Sequence, residues 1–148
     1  MGVTAAPITS DLHQWAHDTA QAIIERRFDG IDWDKVAKEI ISLAGSEERA
    51  LTSHLAQIIY HLLKSEFQPE RHSRSWDLSI KAHRDSIYYL LQEQPSLKSC
   101  IVRQDFLDRA YGLGIAKSAK ENLPDTVTVL FPATCPYTVE TLLPDLSL

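Results

Sequence analysis

Cysteine, methionine and glycine are all scarce in this chain: two, one and five residues out of 148. Cys100 and Cys135 are too few and too differently placed for the disulfide framework of a small secreted domain, so a reduced, cytoplasmic setting is expected. No Gly-rich loop follows a strand-like run, which excludes the usual phosphate cradles of nucleotide-binding enzymes. No Gly-x-Ser-x-Gly elbow occurs, and neither cysteine lies near a histidine in sequence, so nucleophilic catalysis has little support. Long apolar runs are also missing. The cluster Ile58-Ile59-Tyr60 is interrupted at once by His61, and no membrane span is expected. Met1 to Ser10 has neither a basic nor an apolar leader region, so a secretory signal is not expected. Basic residues stop at Lys120, whereas Glu121, Asp125, Glu140 and Asp145 follow it. Most of the net charge of -5 therefore sits from Glu121 onward, and the acidic balance disfavours a nucleic-acid surface.

Apolar residues at helical spacing fill most of what remains. Ser10 or Asp11 can cap a first helix, on which Leu12, Trp15, Ala16, Thr19 and Ile23 share a face. Asp29-Gly30 reads as a turn and Asp32 as the next N-cap. From Trp33 the stripe Ala37, Ile41, Ala44, Leu51, Leu55, Ile59 and Leu62 keeps helical period almost to Phe67. Gly45-Ser46-Glu47-Glu48 interrupts it, and one helix of that length is far above average, which predicts two helices with Ser46 starting the second. Trp76, Ile80, Ile87 and Leu91 mark another helix ending before Pro95. Ser96 caps one more, carrying Leu97, Ile101, Leu107, Tyr111, Ile115 and Ala119. Four of the seven prolines lie in the last 25 residues. The tail is expected to be mostly irregular, with a short helix from about Thr138 to Leu143. The expectation is an all-α, single-domain helical bundle of five or six helices over 1–148. Its helical body covers about 10–122, and a Pro-rich acidic tail covers 123–148.

The nine residues from Gln68 to Trp76 carry the densest polar chemistry in the chain. Pro69 ends the helix before them, and Ser73 or Ser75 can cap the helix after them. Arg71 and Arg74 can fork onto carboxylates such as Glu70 or Glu39 while Trp76 anchors the junction. Alternatively, two arginines, Ser73, Ser75 and a helix N-terminus can receive an anion. In a third reading Arg74 and Trp76 form a protein-interface hot spot, since both residue types are enriched there. The structural reading is favoured, because buried polar corners satisfy their own groups first.

Histidines supply the remaining candidates. His13 and His17 share a face at a spacing of four but lack further ligands, and solvent exposure is the simpler reading. His54 and His61, seven apart, also share a face, and Glu47 with Glu39 one helix earlier would complete a set for a divalent transition metal. The simpler alternative makes His61 a core-edge histidine hydrogen-bonded to a neighbour. Trp15, Trp33 and Trp76 sit at helix starts or apolar faces, where core packing is the expected role.

Eight ordered words resemble a known family: Arg27-Phe28-Asp29, Asp32-Trp33, Ser46-Glu47, His61-Leu62-Leu63-Lys64, Gln68-Pro69-Glu70, Arg74-Ser75-Trp76, Pro95-Ser96-Leu97, and Phe131-Pro132 followed by Cys135-Pro136-Tyr137. Together they look like the bacterial Domain of Unknown Function 29 family, over nearly the whole chain. Members often read Glu-Glu-Ile where this chain has Lys38-Glu39-Ile40, and Ser-Glu-Arg where it has Ser46-Glu47-Glu48. The resemblance implies an all-helical fold and no established activity. The resulting expectation is a non-catalytic protein-binding or regulatory module without a cofactor, engaging a protein partner through the corner and the tail. Binding would fall to Arg71, Ser73, Arg74 and Trp76, and homo-oligomerisation is left open. The alternative is a metal-dependent bundle enzyme with His54, His61, Glu39 and Glu47 as ligands.

Overall fold

Asp11 starts the first helix by accepting a hydrogen bond from the Gln14 backbone N–H at 3.0 Å. In the computed structural model, which describes residues 11–121 and 123–147, this helix, α1, covers Leu12–Ile24. Gly30, at φ 81°, supplies the left-handed turn that Asp29-Gly30 announced. Asp32 then accepts from Lys35 N at 3.0 Å and opens α2, Trp33–Phe67.

α2 is one helix of 35 residues, not the two expected from the gap at Gly45. Glu47, Glu48, Arg49 and Ala50 are strong helix formers, which offset the roughly 1 kcal/mol that one glycine costs. Pro69 then enforces the stop. Gln68 N makes a last bond to Lys64 O at 2.8 Å, and the Gln68 backbone leaves helical geometry at φ -135°. A 3-10 turn over Pro69–Arg71 leads to α3, Arg74–Glu93.

The predicted helix from Ser96 to Ala119 is divided. A 3-10 turn over Pro95–Leu97 runs into α4, Lys98–Ile101, and α5 follows over Gln104–Lys120. Arg103 between them is extended, at ψ 130°. In one unbroken helix Ile101 and Phe106 would point about 140° apart, at about 100° per residue. The break brings both to complete burial. The tail carries two further single turns, α6 (Asp125–Thr128) and α7 (Val139–Leu142), the latter capped by the Thr138 hydroxyl. The described residues thus hold four long α-helices and three of one turn, with no strand. Among them no helix is long and apolar enough to cross a membrane.

Contacts divide the chain into two compact units whose boundary falls inside α2, after Ala44. In the first, Lys35 Nζ lies 4.6 Å from the Trp15 ring and the Phe28 and Trp33 rings are 6.2 Å apart. None of its described residues is buried. The second unit holds the core. Leu51, Leu55, Ile58, Ile59 and Leu63 of α2 meet Ile80, Ile87 and Leu91 of α3 and Phe106, Leu107 and Tyr111 of α5. Leu142 and Leu143 of the tail are buried in the same core.

The tail is therefore held against the core by side-chain hydrogen bonds as well as by burial. Arg84 donates from Nε to Leu142 O and from Nη2 to Thr141 O, at 2.8 and 3.0 Å, satisfying carbonyls at the end of α7. Tyr111 donates to Pro132 O, and Tyr137 donates to a Glu66 carboxylate oxygen at 2.9 Å. Thr126-Val127-Thr128-Val129, within the stretch expected to be irregular, is instead taken into α6 and the turn after it.

α5 approaches α2 most intimately at Gly114. A Cβ there would lie 3.2 Å from both the Ala56 carbonyl oxygen and Ile59 Cγ2, whereas a Cβ at Gly112 would meet open space. Gly114→Leu should therefore destabilise the protein by about 1–3 kcal/mol through overpacking. Gly112→Ala should stabilise it by about 0.5–1 kcal/mol through helix propensity. Urea unfolding of the two variants tests this, and equal effects would contradict the assigned contact.

Candidate functional site: a polar seam beside an arginine corner

The corner forms where α2 stops and α3 starts. Ser73 holds the N-cap position with an extended backbone, but its hydroxyl pairs with that of Ser75 at 2.7 Å instead of capping the helix. His72 Nε2 meets Asp77 Oδ2 at 2.9 Å across the first turn. Arg71 and Arg74 are exposed and their guanidinium groups form no ion pair or hydrogen bond among the described residues, contrary to the favoured expectation of forks onto Glu70 or Glu39. Trp76 is half-buried and faces inward. The Lys64 ammonium lies 4.4 Å from the centre of its ring and 4.4 Å from that of Tyr60.

Lys64 leads from the corner into a seam of polar side chains between α2, α3 and the end of α5. Tyr60, almost fully buried, donates its hydroxyl proton to Glu121 Oε2. Glu121 also pairs with Lys117 at 3.4 Å. Burial, together with the bond to the Glu121 carboxylate, holds the phenol well above its ordinary range. The Tyr60 hydrogen bond in turn lowers the Glu121 carboxyl, and Lys117 and Lys64 add to that. Burial pushes the Lys64 ammonium down, while Glu121 partly restores it.

Two histidine contacts cross from α2 to α3. His54 and His83 share one proton between their Nδ1 atoms at 2.9 Å, so one ring donates and the other accepts. His61 Nε2 and the Ser79 hydroxyl are 2.9 Å apart, while the buried His61 Nδ1 has no partner. Burial and the nearby Lys64 charge lower the His61 pKa to about 4. Burial lowers His83 as well, and the His54 and Lys117 charges act the same way. A groove of about 450 Å³ opens beside His54, lined by Asp85, Ser86 and Tyr89 among others.

Ser79 and His61 have the spacing of a nucleophile and its base, but the rest of that chemistry is not assembled. A catalytic imidazole is oriented through its second nitrogen, which here has no partner. With a pKa near 4, it is also a weak base at neutral pH. As for metal chemistry, His54 and His61 do face the same neighbour, but each is engaged separately, by His83 and by Ser79. Glu47 precedes His54 by about two turns of α2, and Glu39 lies on that same helix, not on an earlier one. Among the described residues no group of three His, Cys, Asp or Glu side chains converges. His13 and His17 stack edge to face at 4.6 Å on the exposed side of α1. Cys100 is buried and Cys135 half-buried, and burial raises both thiols, which fits packing roles.

Sequence reading singled out His54, His61 and Trp76 but missed Ser79, His83, Lys117 and Glu121, their partners in the seam. No local pattern marks them, since the contacts span 18 to 61 residues. A histidine at Ser79 plus four was the one available hint.

An all-α protein with two compact units and a polar seam bonded mostly within itself is the class these observations define. The chain belongs to the family described as domain of unknown function DUF29, whose model matches residues 9–146. No curated protein and no solved structure matches it.

The seam carries a pH signature. His61 and His83 bind protons less readily when folded than when unfolded, so the folded state loses stability as pH falls. Their contribution is complete above an unfolded histidine pKa of about 6.5. For His61 it is lost between there and about 4. Urea unfolding followed from pH 7 to 4 should show a steeper decline in the native protein than in His61→Gln. Parallel curves would remove His61 from the account.

Proposed function

We propose that the protein is a non-catalytic protein-binding module whose principal docking surface is formed by the exposed apolar side chains of residues 11–44. One observation carries this reading: a helical unit without a single buried described residue leaves Ile24 71%, Ile40 62%, Ile41 70% and Leu43 69% exposed. Apolar exposure on that scale is costly in water and marks an interaction surface. Leu12, Phe28 and Trp33 add a further half-exposed leucine and two aromatic rings, residue types that anchor interfaces.

The corner supports the same reading in a lesser role. Arg71 and Arg74 are free to pair with carboxylates of a partner, since neither guanidinium is engaged among the described residues. Trp76 contributes less than its type suggests, because its ring already covers Lys64. Ser73 is engaged with Ser75. The apolar unit thus replaces the corner and tail as the principal contact.

Gentle isolation from the cells that make it, followed by native mass spectrometry, tests the module. The intact chain should retain a protein partner, either another chain or a further copy. Ile41→Glu combined with Leu43→Glu should lose it while changing the stability of the folded core by no more than about 0.5 kcal/mol. Arg71→Ala with Arg74→Ala should weaken retention without abolishing it. A partner held equally by the Ile41/Leu43 variant would contradict the proposed surface.

A further inference from the structure

Within the exposed part of α2, apolar side chains recur at a specific spacing. Trp33, Val36, Ile40 and Leu43 follow steps of three, four and three, which is the a/d seam of two heptads. The charged residues Asp34, Lys35 and Lys38 fall at the b, c and f positions, away from that seam. Glu39 is the one charge at a flanking g position, and the e positions, Ala37 and Ala44, are small and neutral. Glu39 apart, nothing along this face repels an identical face. The seam ends at Glu47, next in the heptad series, and from Leu51 onward α2 turns its apolar residues into its own core.

The exposed area is also of the right size. Ile41, at a b position, lies off this face. Taking about 200 Å² for a large side chain, Leu12, Ile24, Phe28, Trp33, Ile40 and Leu43, exposed by 46–71%, leave open roughly 700 Å², close to one partner's share of a standard interface. We infer that the occupant of this surface is a second copy of the chain, docked through the heptad face of α2 with α1 alongside, in a two-fold pairing of helical hairpins. A two-fold interface meets itself, so a seam that is apolar at a and d and uncharged at e suffices without a complementary partner. The inference rests on the docking surface proposed above and names its occupant.

Sedimentation equilibrium of the full-length protein across micromolar concentrations, read alongside binding of an apolar dye, tests it. The native chain should sediment as a dimer with little dye binding. Ile40→Glu with Leu43→Glu should weaken dimerisation by roughly a hundredfold or more, while its helical circular dichroism and core unfolding stay native. A dimer unaffected by the substitutions would overturn the inference, because another surface would then hold it. A monomer that binds dye through 11–44, with dye binding lost in the variant, would overturn the second copy but leave the docking surface standing. A monomer that binds no dye would overturn both.

Discussion

The close packing of α5 on α2 at Gly114 is the constraint on which the second unit depends. A Cβ at Gly114 would press to 3.2 Å on the Ala56 carbonyl oxygen and Ile59 Cγ2, so the glycine lets the α5 backbone settle there without displacing either. Lys117, Ser118 and Glu121 follow Gly114 at three, four and seven residues, so they occupy the same face. That register carries the Glu121 carboxylate to the Tyr60 hydroxyl and brings Lys117 over the Tyr60 ring, 5.5 Å from its centre. Ser118, fully buried, returns its hydroxyl to Gly114 O at 3.2 Å, so the contact leaves no hydroxyl unsatisfied. Polar seam and apolar core are consequences of one helix contact.

The seam gathers residue types that carry catalysis in other proteins. Tyrosine, histidine, lysine, serine and glutamate are all present, yet nearly every polar atom is bound to a neighbour in the seam. Burial raises the phenol and lowers the imidazole, which moves both away from useful proton transfer at neutral pH. Such a network fixes which helix faces meet, because each slip would leave a buried polar group unpaired. Among its described residues the first unit has no buried side chain and no comparable network.

Local chemistry made much of the fold legible. Asp11 and Asp32 as caps, Gly30 as the turn, Pro69 as the stop and Thr138 before the last helix all act where sequence placed them. Long-range effects were not legible. Helix propensity at Glu47 to Ala50 carried α2 through Gly45, and burial of both Ile101 and Phe106 broke the helix at Arg103. The Arg71 and Arg74 side chains lacked the expected carboxylates, since charge type in sequence does not specify a partner in space. His61 could be identified as a core-edge histidine, but its serine partner depends on how α3 lies on α2.

The central claim is that a self-sufficient core carries a helical unit completed only by association. Amide hydrogen exchange of the intact protein at low and high concentration measures this most directly. The account predicts strong, concentration-independent protection in 51–63 and 106–118, and protection in 12–43 that rises with concentration. Equal, concentration-independent protection of 12–43 would contradict it.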